Sequence, residues 1–330
     1  MCYNPMWVKP GIINLRNEVT IINTLEKKGK DKRMDHQQSL RERYKSGTYH
    51  GKPLKNREAF VKAASEKGSS PEELNFRKNV IGSDETGKGE VFRPLIVVAA
   101  YVKKEHAEAL IKEGIRDSKS YKTKEKLCEI GKKLTGFTSY ADFEKQRESG
   151  MVMEKAYVTF AADVVSNGVY NQNWKAKEGG LNENGLMRAC HGEVVNSLAK
   201  EVTYDYVVVD NFEESHPNHI QNEMNLPEDK MIIAKKADEF VLAVACASVI
   251  AKYLSCLYME KLAADYGLDE SEDFGRTGEF RAEMLERLWE KLENPRLFFK
   301  NYIKKFDNVI NCLNEKEKGL GSLYDDDDLK

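Results

Sequence analysis

The chain has 330 residues, is 41% hydrophobic and 32% charged, and carries a formal net charge of −2, which allows a sizeable core in one or two domains beneath a heavily ionised surface. Its six cysteines form no C-x-x-C pair, which argues against a zinc-site pattern and a compact disulfide framework and favours a reducing compartment. No N-terminal stretch has the apolar run and small-residue cleavage site of a secretory signal, so a cytoplasmic location is the expectation.

Charge is unevenly spread. Residues 1–78 hold 17 Lys or Arg against 9 Asp or Glu, which leaves the other 252 residues at −10. One part suits phosphates and the other suits cations. Within the basic part, the apolar runs Gly11–Leu15 and Val19–Leu25 fit short strands or one amphipathic helix. From Lys27 to Lys67 cations alternate with Tyr44, Tyr49, His50 and Phe60. That composition fits a nucleic-acid-gripping arm, or a linker with a helix over Asn56–Lys67. Ser70 reads as a helix cap with Pro71 in the first turn.

The rest of the chain is organised around Asn79–Glu90. Val80 and Ile81 open a buried strand, and Asp84 and Glu85 stand at its end, before the Thr86-Gly87-Lys88-Gly89 turn. Successive strand side chains face opposite ways, so the two acids are expected to do different jobs. Gly82-x4-Gly87-Lys88 matches the start of a P-loop, but Gly89 stands where that motif needs a hydroxyl. A solvated turn explains the glycines and not the acids. A divalent-metal nuclease site explains both, provided further carboxylates join.

A second strand is expected at Leu95–Val102 and a helix at Glu105–Glu113. Then come Asp117-Ser118-Lys119, with Ser120 or Thr123 as a cap, and a helix over Lys122–Leu134. Thr138–Tyr157 is ambiguous. Asn171–Gly185, rich in Asn and Gly, reads as a loop before a helix over Leu186–Lys200. That helix carries His191, and a lone helical histidine is more often a core or surface residue than a ligand. Tyr204–Asp210 is the next clear strand; three successive valines imply burial on both faces, with Asp210 at the C-terminal end, where α/β sheets place chemistry. His216-Pro217-Asn218-His219 reads as a plain loop ahead of a transition-metal site.

Lys230–Ala234 is a further strand, followed by Lys236-Ala237-Asp238 and a long helix over Glu239–Tyr266. Both acids would then lie at its N-terminus, where the helix dipole favours anions. Phe240–Met259 has membrane-spanning length but carries Lys252 and small residues, and is read as a buried core helix. An amphipathic helix is expected over Phe280–Leu292, and Asp325–Lys330 is an exposed acidic run, expected to be disordered.

Several of these stretches together resemble the type 2 ribonucleases H, and most of all ribonuclease HIII. The matching series is Ile81–Glu90 with Pro94–Ala100, Asp117-Ser118-Lys119, Asn182-x-Asn184-x-Leu186 ahead of His191, Val207–Phe212, and Lys236-Ala237-Asp238 leading into Ala243–Lys252. The resemblance implies an α/β, ribonuclease H-like fold, with a mixed central sheet flanked by helices, over 79–267. Around it would lie the basic N-terminal extension 1–78, a helical C-terminal part over 268–320 and the acidic tail 321–330. It implies Asp84, Glu85, Asp210 and Asp238 as catalytic metal ligands, and Thr86, Gly87, Lys88, Gly89, Ser118 and Lys119 as substrate-binding residues. Beyond Gly267 the family's Pro-Gly-Ala segment and its terminal Lys-x-His-Phe-like motif are not matched; Lys300–Phe306 stands there instead.

Four carboxylates brought together raise one another's pKa, and oxygen-only ligands select Mg2+ or Mn2+. Two ions per site, about 3.5–4 Å apart, can clamp an in-line displacement at phosphorus. The expected reaction is endonucleolytic hydrolysis of the RNA strand of an RNA–DNA hybrid, leaving a 5′-phosphate. The glycine turn would sense the 2′-hydroxyl that DNA lacks, and Lys88, where ribonuclease HII carries arginine, favours hybrid cleavage over single-ribonucleotide excision. The competing expectation is a non-catalytic nucleic-acid-binding or scaffolding protein on the same frame, with a protein partner engaged through either extension and no membrane contact.

Overall fold

The computed structural model describes residues 34–175, 182–213, 217–274, 282–304 and 309. The apolar runs over 11–25, the tail 321–330, part of the Asn/Gly-rich stretch and the start of the helix expected at Phe280 lie outside the described residues. A small hairpin, β1 (Thr48–Tyr49) and β2 (Lys52–Pro53), precedes a six-stranded sheet. The sheet is built from β3 (Val80–Thr86), β4 (Leu95–Val102), β5 (Val152–Glu154), β6 (Thr159–Val165), β7 (Tyr206–Asp210) and β8 (Met231–Ala234), in the order β5-β6-β4-β3-β7-β8. β3 runs antiparallel to β4, with Asp84 opposite Val98, and parallel to β7, with Ser83 opposite Val209. The sheet is therefore mixed, and β3 and β7 lie side by side in its interior with their carboxylate-bearing ends together.

Before the sheet come α1 (34–46), α2 (Arg57–Glu66) and α3 (Pro71–Phe76). The cap expected at Ser70 forms, its side chain accepting from Glu73 N at 3.2 Å. Next in the chain are α4 (Ala107–Glu113), α5 (Lys124–Thr135, capped by Thr123) and α6 (Tyr140–Glu148). After these come α7 (Asn167–Lys175), α8 (Glu183–Glu201), α9 (Pro217–Asn222) and α10 (Leu242–Tyr266). The chain continues through α11 (Glu270–Asp273), α12 (Ala282–Lys291) and α13 (Pro295–Tyr302).

Alternation along the strands divides the core. Ile96, Val98, Ala100, Val208 and Ile232 face α10, whereas Leu95, Val97, Ala99, Val207 and Val209 face α8. β4 is buried along its whole length, and so are the three valines of β7, as two covered faces require. α10 lies directly on β3 because position 82 is glycine: a Cβ there would sit 2.2 Å from Val244 N. The helix has the length and apolarity of a membrane span, yet 89% of its apolar window is buried inside the protein, so it is the expected core helix. Leu40, Tyr44, Phe60 and Leu74 belong to the same apolar cluster, and Phe60 stacks on Phe240 with ring centroids 4.7 Å apart. The helices before Asn79 thus pack into the sheet's core.

Four expectations are corrected. The stretch read as a loop from Asn171 is α7 as far as Lys175, and α8 begins at Glu183. The 216–219 loop gives way to α9 from Pro217. β6 is an unforeseen strand, disguised by Asp163, whose charge is met by Arg147 at 2.9 Å. Asp238 and Glu239 do not start the long helix. They form a separate 3-10 turn, Ala237–Glu239, and α10 begins at Leu242. The shift has a physical cause: Asn75 accepts from Leu242 N at 2.7 Å and donates to Phe240 O at 2.7 Å, capping the helix from 167 positions away.

Candidate active site

Asp84 and Asp210 end adjacent parallel strands, and Asp238 follows the next strand in the sheet. Asp84 is buried, and its carboxyl is pushed well above the usual range by desolvation and then by Asp210, Asp238 and Glu85. Desolvation and the Glu85 charge raise Asp210 to about 6, against the opposing effects of the Ala237 amide, Lys236 and Lys119. Desolvation, Asp210 and Asp117 raise Asp238 to about 7. Asp84, Asp210 and Asp238 thus oppose one another's ionisation, and the Glu85 charge acts on Asp84 and Asp210.

Backbone hydrogen bonds orient two of these acids. Asp84 Oδ1 accepts from Glu85 N at 2.9 Å, and Asp210 Oδ1 accepts from Ala237 N at 2.8 Å. Asp238 Oδ1 is buried with no hydrogen-bond partner. Lys236, just before that turn, holds a left-handed backbone at φ 58°, an uncommon state for a residue with a Cβ. It sets its ammonium where it lowers the pKa of both Asp210 and Asp238.

Among the described residues no three or more His, Cys, Asp or Glu side chains are grouped closely enough to hold a metal ion as they stand. The donor chemistry nevertheless suits a hard divalent cation. The donors are all oxygens, the carboxylates raise one another's pKa, and one buried oxygen lacks a partner.

Glu85 is held from the opposite side. His191 Nε2 lies 3.3 Å from Glu85 Oε2 and its Nδ1 lies 2.7 Å from Ser83 Oγ, whose hydroxyl donates to Val98 O at 3.1 Å. His191 is fully buried, and its ring stacks on Phe212 at 4.8 Å. It is thus a core histidine whose outer nitrogen faces the site.

The turn after β3 is fixed by sterics. Gly87 has φ 88°, and a Cβ there would sit 1.9 Å from Pro94 O. Gly87 is buried, whereas Lys88 and Gly89 are exposed. Lys88 reaches Asn184 Oδ1 at 3.4 Å and lies 5.9 Å from the centre of the Phe212 ring. On the other side, Ser118 and Lys119 lie in a 3-10 turn, and Ser248 Oγ of α10 donates to Ser118 Oγ at 2.9 Å. Ser248 also lies close enough to Asp84 to favour its charged form, which links the Ser118 turn to the carboxylates. The P-loop alternative fails here: Gly82 lies under α10 inside a strand and cannot line a phosphate cradle.

Sequence reasoning did not assign roles to Asp117, Lys236, Ser248 and Phe212. All four lay within the motifs already quoted, so position could have flagged them.

A sequence model of the Ribonuclease HII family matches residues 81–302, well over half of the chain. The chain is similar to the ribonuclease HIII of Geobacillus sp. (strain WCH70), 29% identical over 195 residues covering 58% of this chain and 57% of that protein. It is 30% identical over 193 residues to that of Lactococcus lactis subsp. lactis (strain IL1403), covering 57% and 58%. With that of Listeria monocytogenes serotype 4b (strain CLIP80459) it shares 28% over 238 residues, covering 70% and 69%. The matches to the first two span less than two thirds of those proteins' lengths. Among solved structures, Bst-RNase HIII in complex with Mn2+ superposes with a TM-score of 0.57 at 21% identity, covering 81% of this chain and 76% of that one. The ribonuclease H2 of Pyrococcus horikoshii OT3 does so with 0.52 at 20%, covering 73% and 100%. At such identities the likeness is one of fold.

Proposed function

The chain belongs to the ribonuclease HII family, and we propose on that footing that it is a divalent-cation-dependent endoribonuclease hydrolysing the RNA strand of RNA–DNA hybrids in the cytoplasm. The observation that carries this reading is the electrostatic conflict of Asp84, Glu85, Asp210 and Asp238 at the ends of the central strands. Such a cluster is stable and useful only around cations. Mg2+ or Mn2+, two per site, would be held by these four residues and would supply charge neutralisation and Lewis acidity to the displacement at phosphorus.

The chain's own groups do the rest. Asp84 and Asp210 are held in place by backbone amides, and Glu85 is oriented by His191. Lys119 and Lys236 place positive charge beside the carboxylates, where a scissile phosphate would lie. The Thr86–Gly89 turn brings backbone polar groups to the edge of the site, suited to sensing a 2′-hydroxyl. Attack of water on phosphorus breaks the bond to the 3′-oxygen, leaving a 3′-hydroxyl and a 5′-phosphate. Intact hybrids are preferred to single ribonucleotides in DNA, since Lys88 gives the turn the looser pattern. The basic surplus of residues 1–78 adds non-specific attraction to the duplex.

Incubating a labelled RNA–DNA hybrid with the full chain and Mg2+, Mn2+ or EDTA tests the reading. Metal-dependent cleavage that is lost in Asp210→Asn supports it. No cleavage under either ion, or cleavage that survives the substitution, overturns it.

A further inference from the structure

The segment after α13 ends in a place where a lysine is out of character. Ile303 and Lys304 are fully buried, and fully buried lysines are rare unless paired. Among the described residues no carboxylate is in direct contact with Lys304; Glu183 and Glu90 act on it only at a distance. Its ammonium lies 4.7 Å from the centre of the Tyr170 ring and donates to Gly87 O. Desolvation pulls its pKa down to about 7. Holding an amine there opposes folding, so the arrangement marks a site whose sequence answers to something besides stability.

The surrounding contacts hold the segment in one register. Lys304 N donates to Val91 O at 2.8 Å. From α7, Asn167 Nδ2 donates to Tyr302 O at 2.6 Å and Phe92 O at 3.0 Å, and Asn171 Nδ2 donates to Ile303 O at 2.7 Å. The Gly87 carbonyl also accepts from Glu90 N at 3.2 Å, so Lys304 takes the remaining acceptor capacity of the one residue in the turn that must be glycine. That turn follows directly on Asp84 and Glu85.

We propose that Lys304 is a positioning residue which, through the Gly87 carbonyl, fixes the Thr86–Gly89 turn and so sets how well the site distinguishes ribose from deoxyribose. The proposal rests on the reading of the turn given under Proposed function. A looser turn keeps its carboxylate neighbours but presents its polar groups at the wrong place.

The test uses the full chain and compares wild type with Lys304→Met, which matches the stem's volume and lacks the donor, and Lys304→Gln, which keeps a donor. Two ratios are measured: kcat/KM on an all-ribose hybrid over one with a single 2′-deoxy nucleotide at the cleaved position, and Kd for a DNA duplex over that for the hybrid, in EDTA. The expected result is a fall of at least about tenfold in the first ratio for Lys304→Met, against the ~10²-fold that a 1 Å misplacement costs. The second ratio falls in parallel, and Lys304→Gln recovers part of both. Equal loss on every substrate, with both ratios unchanged, would mean that Lys304 merely stabilises the fold and would overturn the proposal. If Lys304→Met lacks the wild-type circular dichroism spectrum, the same ratios in Lys304→Gln decide. Absence of hybrid cleavage by wild type would overturn the ribonuclease reading instead, and the binding ratio would still judge Lys304.

Discussion

Arg43 and Lys304 come from opposite ends of the described chain, and each braces one of the two loops that frame the carboxylates. Arg43, on α1, donates to Glu239 O at 2.8 Å and to Asp117 Oδ2 at 3.0 Å, tying the Asp238 turn to the Ser118 turn. Lys304 braces the Gly87 turn on the other side. The guanidinium is 5% exposed and meets a carboxylate, and its pKa stays high even though desolvation, the largest influence, opposes it. The ammonium meets only a carbonyl and a ring, and its pKa falls to about 7. Two buried cations thus do similar work on opposite terms. The paired one holds the fold and the site together, whereas the unpaired one serves the site at the fold's expense.

The largest effect concerns what lies between the braces. Asp210→Asn keeps the shape of the side chain and removes one charge, and hybrid cleavage should fall roughly 10³-fold, as when a preorganised charge-stabilising group is lost. Asp238→Asn should behave alike, while Glu239→Gln, whose backbone rather than side chain takes Arg43, should remain active. An inactive Glu239→Gln beside an active Asp238→Asn would move the fourth ligand by one residue. Hybrid binding should persist in Asp238→Asn, because one less negative charge does not weaken attraction for phosphates.

Next in size is the paired brace. Arg43→Met leaves Asp117, half-buried beside Asp238, without its ion-pair partner, and should lower the unfolding free energy by roughly 3–5 kcal/mol. Urea unfolding by circular dichroism measures this. A loss below about 1 kcal/mol would place the pair with ordinary surface bridges and dissolve the contrast with Lys304.

Divalent cations should act on the region between the braces. Asp210 and Asp238 have folded pKa values of about 6 and 7, above the ordinary carboxylate value of 3.8. The folded protein therefore binds more protons than the unfolded chain between about pH 4 and 7. Without metal, stability should fall as pH rises through that window. On the proposed reading Mn2+ takes the ionised folded site, so at 100 times its Kd it should restore about 2.7 kcal/mol. The check is a set of melting curves from pH 4 to 8 with EDTA or Mn2+. A metal shift as large at pH 4 as at pH 8 would place the ions elsewhere.

How much of this could be read in the sequence depends on the range of the forces. Asp84, Asp210 and their strands were legible because an apolar run ending in an acid is a local pattern, and the order of motifs fixed the fold. The start of α10 was not legible, because Asn75 caps it from across the chain. β6 was missed because Asp163 finds Arg147 only in three dimensions. The basic stretch before Asn79 showed its charge but not its burial: Tyr44 and Phe60, read as rings among cations, are core residues, and Arg43 is held by the site. Lys304 gave no signal of its own burial, since one of two adjacent lysines before Phe306 looks like any solvated one.

The smallest effect is also the one that best separates the two braces, because its size depends on pH. The folded pKa of Lys304, about 7, lies below its ordinary 10.5. Below pH 7 the amine is charged in both states and the full desolvation penalty weighs on the fold. As pH rises from 7 toward 10.5 the folded amine loses its proton first, and wild-type stability should rise by on the order of 1–3 kcal/mol between pH 7 and 9. Glu183 and Glu90, which favour the charged form, and the Tyr170 ring face it and blunt the effect without reversing it. Lys304→Met carries no such group. The variant should be more stable than wild type at pH 6, and that advantage should shrink by on the order of 1–3 kcal/mol by pH 9. Arg43→Met should be destabilised at both pH values, since a guanidinium stays charged throughout. Denaturant melts of the two variants and wild type at pH 6 and 9 decide it. A Lys304→Met curve parallel to wild type would mean that the lysine is not desolvated as the fold implies.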